Sequence, residues 1–406
     1  MPTNEQLIEI ARRVQLGNYR PAPFVLSRGR GCRVEDVQGA EYLDLSGGIA
    51  VLSLGHAHPR LAAAIAEQAS RLMHVSNLFY NDRAIELARE IVHRTVFDRV
   101  FFANSGTEAN EALLKLARRY HHERGDPARV EFVATDHSFH GRSFGALSIT
   151  GQPKYHVGMG PLLPGVHHVP FDDLDAMRAK VGPATACVIV EPIQAEGGLV
   201  VPSDGYLEGL RHICDEAGAL LFFDEVQTGY GRTGRFLARE HSGVVPDGCS
   251  LAKGIGGGFP LGAVAVLEKL AGGLPPGSHA STFGGNPLAC AAGLAVLSVF
   301  DADGVVEHAA TVGDHLGRRL EEMASDGSLP VEREARGRGL LRGLALAEHV
   351  DPTATLARLR ERRLLLTLAG GHVLRVSPPL IVTPAEIDEG MEIIRDVLAD
   401  APRRTA

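Results

Sequence analysis

Apolar positions recur along the chain in three textures. Over residues 5–16 they fall at three- and four-residue spacing within a charged segment, which predicts an amphipathic helix. Over residues 24–46 β-branched and aromatic residues alternate with polar ones around Gly31 and Gly39, which predicts short strands joined by turns. Helical spacing returns over Ala62–Met73 and Asp82–Phe97. After that come short unbroken apolar runs separated by helical segments: Val100–Ala103, Val130–Ala134, Cys187–Val190, Leu220–Phe223 and Gly262–Leu267. Short runs without alternation suit strands covered on both faces, as in a mainly parallel sheet. Pro287–Phe300 is apolar, rich in small residues and too short to span a membrane, so it reads as a buried helix. Residues 301–326 read as a charged helix, residues 337–346 as a turn rich in Gly and Arg, and the remainder to 395 as a further αβ pattern. The expected architecture is α/β. A large domain with a mainly parallel central sheet covers 61–298. A smaller α+β domain, with an N-terminal arm, is built from 1–60 and 299–406.

Composition narrows the picture. The 406 residues are 45% hydrophobic and carry a net charge of −8, which suits a folded globular chain and not a disordered one. No basic stripe marks a nucleic-acid surface, and no segment marks a membrane span. The five cysteines, Cys32, Cys187, Cys214, Cys249 and Cys290, are dispersed and include no C-x-x-C pair. They read as reduced core thiols, and the N-terminus lacks the apolar core of a secretory signal; a cytoplasmic location follows as the expectation. Histidines occur in close pairs, but none has the helical spacing of a zinc site, so no metal is expected. Only five of the 41 basic residues are lysine: Lys115, Lys154, Lys180, Lys253 and Lys269. Amine chemistry therefore has few candidates.

Four patterns follow predicted strands, where open parallel sheets place their ligands. Asn104-Ser105-Gly106-Thr107-Glu108 opens a helix; it could cradle a phosphate on its amides or be an ordinary cap. Asp224 ends the run Leu220–Phe223 and is partly buried, which demands a cation or a protonated base opposite it, either a cofactor nitrogen or an arginine. Lys253 lies between an apolar segment and Gly254-Ile255-Gly256-Gly257-Gly258, where lost hydration favours a neutral, nucleophilic amine; the alternative is a surface lysine beside a flexible loop. Phe139-His140-Gly141-Arg142 joins an aromatic ring to a guanidinium, a weak signal for a planar ligand with a carboxylate. Neither glycine cluster fits G-x-G-x-x-G, and Ser105 lacks the G-x-S-x-G elbow of a hydrolase.

In this order the patterns resemble the class III pyridoxal-phosphate aminotransferases of fold type I, from about Ala22 to Pro384. The resemblance is carried by GIAVLSLGHAHP (48–59), HVSNLFYN (74–81), FFANSGTEANEALLKLAR (101–118), FHGRSFGALSITGQPKY (139–155), DEVQTGYGRTG (224–234), AKGIGGGFPLGA (252–263) and STFGGNPLACA (281–291). It looks most like the acetylornithine subgroup. The resemblance implies that Lys253 joins the cofactor, pyridoxal 5'-phosphate, and that Asp224 holds its ring nitrogen protonated. Val226 and Phe139 would cover the two ring faces, with His140 close by and Gln227 near the ring hydroxyl. Ser105, Gly106 and Thr107 would hold the phosphate, joined by Thr282 of a second subunit in a homodimer. Arg142 and Ser281 would meet substrate, and Glu196 and Arg375 would form a switching ion pair. At Ala195 the chain departs from the usual glycine, and the added methyl restricts the backbone at that switch.

The implied reaction moves the amino group of N2-acetyl-L-ornithine to 2-oxoglutarate, giving N-acetyl-L-glutamate 5-semialdehyde and L-glutamate, a step of arginine biosynthesis. N-succinyl-diaminopimelate, ornithine and 4-aminobutyrate are the alternative amino donors. Ile49 stands where ornithine enzymes tend to carry tyrosine, which argues against free ornithine. A nicotinamide dehydrogenase would need the missing glycine fingerprint, and a silent binding protein would not need every catalytic position filled.

Overall fold

The computed structural model describes residues 2–404. Thr3 caps the first helix, Asn4–Val14, in a reciprocal pair with Gln6. Three short strands follow: β1 (Leu26–Arg30), β2 (Arg33–Asp36) and β3 (Glu41–Asp44). They form an antiparallel meander, and β3 pairs in parallel with a strand from near the C-terminus, Leu364–Leu365. The two chain ends thus share one sheet.

Seven strands make the central sheet: β4 (Arg99–Ala103), β5 (Glu131–Thr135), β6 (Val166–Val169), β7 (Thr185–Val190), β8 (Leu220–Asp224), β9 (Gly248–Leu251) and β10 (Gly262–Val266). Their spatial order is β4-β10-β9-β8-β7-β5-β6. The run from β6 to β9 is parallel, and only β10 is reversed, pairing antiparallel with both β9 and β4. The inner strands β7, β8, β9 and β10 are buried at every residue, which explains their lack of alternation. Two strands, β6 and β9, have no counterpart among the predicted runs. Val-His-His-Val and Gly-Cys-Ser-Leu hold too few strong β-formers to stand out, and sheet pairing decides their state.

One sheet face packs on the helix Gly106–Glu123, through Leu113 and Leu116. The other packs into a core that continues through the helices Tyr206–Ala217, Pro287–Asp303 and Val305–Ser325. The helix Pro287–Asp303 is apolar nearly all round and largely buried, as its composition predicts. It runs past the boundary expected at 298 and ends at Gly304, whose φ of 59° is left-handed. Among the described residues no single helix is long and apolar enough to cross a membrane.

A second antiparallel sheet joins β11 (Val331–Arg338) and β12 (Leu341–Leu346) with β14 (Thr367–Ala369) and β15 (Val373–Val376), β13 being Leu364–Leu365. The segment 337–346, expected as a turn, is mostly strand. Its glycines mark close packing: a Cβ on Gly343 would lie 2.6 Å from both Leu199 Cδ1 and the Leu374 carbonyl. Only Gly339, at φ 58°, makes the turn proper.

Candidate active site

The carboxyl ends of β4, β5, β7, β8 and β9 lie along one edge of the central sheet, and the predicted chemistry collects there. A cavity of about 420 Å³ opens over this edge, lined by Ser105, Phe139, Arg142, Asp224, Val226 and Lys253 among others.

Asp224 ends β8 and is almost fully buried. Its Oδ2 accepts from Asn110 Nδ2 at 2.7 Å and pairs with His140 Nδ1 at 2.8 Å, while Oδ1 accepts from the Val226 N–H at 3.0 Å. Burial alone would raise this carboxyl, but the hydrogen bond and charge of His140 outweigh it, helped by Val226 and Asn110. The group stays below the usual aspartate range. Burial likewise opposes charge on His140, and Asp224 overrules it, so the imidazole is raised above its ordinary value. The pair is therefore an ion pair, and Oδ1 keeps a lone pair for one more donor.

Lys253 follows β9 on a single 3₁₀ turn, Lys253–Gly256. Its φ of 50° lies in the left-handed region, a strained place for a residue with a side chain. Burial holds its ammonium below the usual lysine range, and Glu196 opposes that fall. The amine is thus easier to neutralise than a surface lysine.

Ser105 caps the helix Gly106–Glu123, accepting from the Glu108 N–H at 3.3 Å. The amides of Gly106 and Thr107 open the first turn and have no acceptor within the helix, so they offer an anion site. The Thr107 hydroxyl is already engaged. It meets Ser143 Oγ at 2.6 Å and accepts from the amides of Arg142 and Ser143, which leaves the Thr107 amide for a ligand. Gly141, at φ 138°, is required there, because a Cβ would come within 2.3 Å of Thr107 Oγ1. Val226 packs onto Gly106, where a Cβ would meet its methyl at 2.7 Å.

The Arg142 guanidinium lies 3.7 Å over the Tyr155 ring and 5.5 Å from the Phe139 ring, and the residue is exposed at the mouth. Deeper in, Arg375 on β15 is fully buried and forms an ion pair with Glu196. Gln227 spans the pair, accepting from Arg375 Nη1 at 3.0 Å and donating to Glu196 Oε1 at 3.3 Å. Thr367 accepts from Arg375 Nε at 2.9 Å. Burial would raise Glu196, but Arg375 and Lys253 hold it below its ordinary value. Ser281 is near the cavity through Asn104, whose Nδ2 lies 3.4 Å from its Oγ. Thr282 is exposed and outside the cavity lining.

Two residues of this site escape sequence reading. Asn110 gives no signal, since an amide on a helix looks ordinary. Glu191 shares the signature of Asp224, an acid ending a buried apolar run, and that pattern could have found it.

Such a sheet edge, with its lysine, its aspartate–histidine pair and its open helix terminus, defines a class. The family model for class-III aminotransferases matches residues 15–398, and the chain belongs to that family. Within it, the chain is 48% identical to the acetylornithine aminotransferase of Myxococcus xanthus, over 95% of this chain and 96% of that one. It is 45% identical to the succinylornithine transaminase/acetylornithine aminotransferase of Pseudomonas aeruginosa, over 96% of each. It superposes with a TM-score of 0.94 on the ornithine aminotransferase of Toxoplasma gondii, 35% identical over 98% of this chain and 94% of that one; that crystal structure has pyridoxal phosphate partly occupying its active site.

The protein is an aminotransferase, and the cofactor of its class is pyridoxal phosphate. The residues present fit that group. The cavity has the volume of a small-molecule site. The free amides of Gly106 and Thr107 suit the phosphate, the open lone pair on Asp224 suits a ring N–H, and the softened amine of Lys253 suits the carbonyl carbon.

Proposed function

We propose that the protein transfers the amino group of N2-acetyl-L-ornithine to 2-oxoglutarate, as a step of arginine biosynthesis. The observation that carries the reading is the ion pair of the buried Arg375 with the partly exposed Glu196, beside Lys253. With the pair closed, no free cation faces the substrate's inner end, and an acylated amine is accepted. With Glu196 swung away, Arg375 is bare and binds the α-carboxylate of glutamate. Arg142, at the mouth, grips the single carboxylate of acetylornithine or the side-chain carboxylate of glutamate, with Ser281 beside it.

Pyridoxal phosphate, when bound, supplies an electron sink next to the amine-bearing carbon. Everything else is work for the chain. Lys253 Nζ would take the proton from that carbon and return it two atoms away, across the transferred nitrogen, and its burial favours the neutral amine this needs. Asp224 keeps a proton on the ring nitrogen, and His140 and Asn110 keep Asp224 charged and aimed. Phe139 and Val226 would exclude water from the two ring faces, and Gln227 would serve the ring hydroxyl. Ser105, Gly106 and Thr107 orient the phosphate.

The same reading makes the active unit a homodimer, with Thr282 reaching the neighbour's phosphate. Support comes from exposed apolar residues in the segment beside it. Leu78, Phe79 and Tyr80 are 84%, 70% and 96% exposed, and Asn77 Nδ2 donates to the carbonyls of Ser281 and Gly284. Two bodies, 61–298 and 1–60 with 299–406, would flank the cavity. Five buried free thiols accord with a cytoplasmic setting.

The purified protein is expected to be yellow, with borohydride fixing the colour on Lys253. Steady-state comparison of acetylornithine, succinyl-diaminopimelate, ornithine and 4-aminobutyrate, each with 2-oxoglutarate, tests the substrate. A higher kcat/KM for ornithine or 4-aminobutyrate overturns the assignment.

A further inference from the structure

Glu191 stands at the end of β7, directly before Pro192, and is almost fully buried. No arginine or lysine pairs with it among the described residues. Its two oxygens are spent on backbone instead. Oε2 accepts from the Phe139 N–H at 3.0 Å, and Oε1 accepts from the Ala195 N–H at 3.3 Å. One side chain thus ties the loop that carries the aromatic ring to the turn that carries Glu196.

That turn is held on other sides too. Gln194 exchanges both backbone hydrogen bonds with Val200 at 3.0 Å, and its Nε2 donates to Thr135 Oγ1 and to the Asp136 carbonyl. The Gly370 N–H donates to the Glu196 carbonyl at 2.9 Å. The Ala195 methyl, this chain's departure from glycine, packs with Leu199, Leu341, Ala345, Ala369 and Val373. The backbone on both sides of Glu196 is therefore fixed, while the Glu196 carboxylate itself is partly exposed. Of these anchors only Glu191 also reaches the cofactor face.

We propose that Glu191 is a positioning residue that holds the Glu196 gate in register with the Phe139 face, and so sets how well the protein separates an acylated amine from glutamate. This rests on the aminotransferase reading above. Slack at Phe139 falls on both half-reactions alike, because both use the same ring. Slack at Ala195 loosens the closed gate and falls on the acylated amine alone.

The test is Glu191→Gln in the full-length holoprotein, with the two half-reactions measured separately by single turnover. The expected result is a drop of about tenfold in the ratio of kcat/KM for acetylornithine to that for glutamate, the size one buried hydrogen bond carries, seen mainly in the KM for acetylornithine. Hydrogen exchange in the peptides covering 139 and 195 is expected to speed up together. Equal loss in both half-reactions, or unchanged exchange at 195, overturns the proposal. If Glu191→Gln does not hold cofactor, Ala195→Gly gives the second test: it loosens the same turn without touching the buried carboxyl, and a ratio equal to wild type overturns the proposal. A wild-type protein inert toward both donors would instead sink the functional reading.

Discussion

The ends of β7 and β8 make a natural pair. Both are inner parallel strands, an acidic residue ends β8 and another directly follows β7, and both acids are almost fully buried. Their chemistry is opposite. Asp224 faces the His140 imidazole and stays charged below the usual aspartate range. Glu191 has only two N–H donors in contact; burial pushes it up to about 7, with Asp224 adding to the rise and His140 resisting it. Burial costs both groups similarly, and the nearby cation decides which stays ionised. One strand end therefore carries a fixed charge suited to a cofactor, and its neighbour carries a clamp.

The largest effect is expected at the amine that both carboxylates frame. Lys253→Ala should lower kcat with acetylornithine by about 10³-fold or more, since it removes the proton carrier as well as the attachment point. A variant that stays within tenfold of wild type and remains borohydride-reactive would remove Lys253 from the chemistry. Next is Asp224→Asn, which breaks the buried pair at a cost of about 3–5 kcal/mol. With the carboxylate gone, burial dominates at His140, and its titration, followed by NMR, should fall from above to below the ordinary histidine value. An unmoved His140 titration would mean that the two strand ends do not differ in the way described.

Glu191→Gln probes the other end. Burial raises the folded carboxyl to about 7 from an ordinary value of 4.5, so between those values the folded chain holds more protons than the unfolded one. The stability this group contributes is full below the lower value and is lost as pH rises through the upper one. The variant lacks this loss. Urea unfolding at pH 5 and pH 8 should therefore show the wild type losing about 2.5 kcal/mol relative to the variant. Parallel pH profiles would show that Glu191 carries no raised titration.

The contrast between these two residues also shows what sequence can disclose. Asp224 and Lys253 are legible because each breaks an apolar texture: an acid closing a buried run, and one of five lysines set against a glycine loop. Glu191 breaks the texture in the same way, yet its meaning lies in two backbone N–H groups from distant loops. The Glu196–Arg375 pair joins residues 179 positions apart, and only the family resemblance draws them together in the sequence. Much of the central sheet is visible as apolar runs, but β6 and β9 owe their state to pairing and not to composition. Glycine is the most misleading letter. At 337–346 it reads as a turn, whereas at Gly343 it is the only residue that lets Leu199 approach the backbone.

The smallest effect sharpens the comparison most, because it involves no charge. Ser105→Ala removes one neutral cap, the acceptor of the Glu108 N–H, and should cost about 1 kcal/mol of stability in the apoprotein. Serine does not titrate in this range, so its loss must be the same at pH 5 and pH 8. Both acceptors hold backbone N–H groups, but only the one at Glu191 belongs to a group that titrates between pH 5 and pH 8. If the Ser105→Ala deficit itself drifted with pH by as much as the Glu191→Gln difference, the drift would belong to the whole sheet edge. If it stays flat while the Glu191→Gln difference moves, the pH dependence belongs to the buried Glu191 carboxyl.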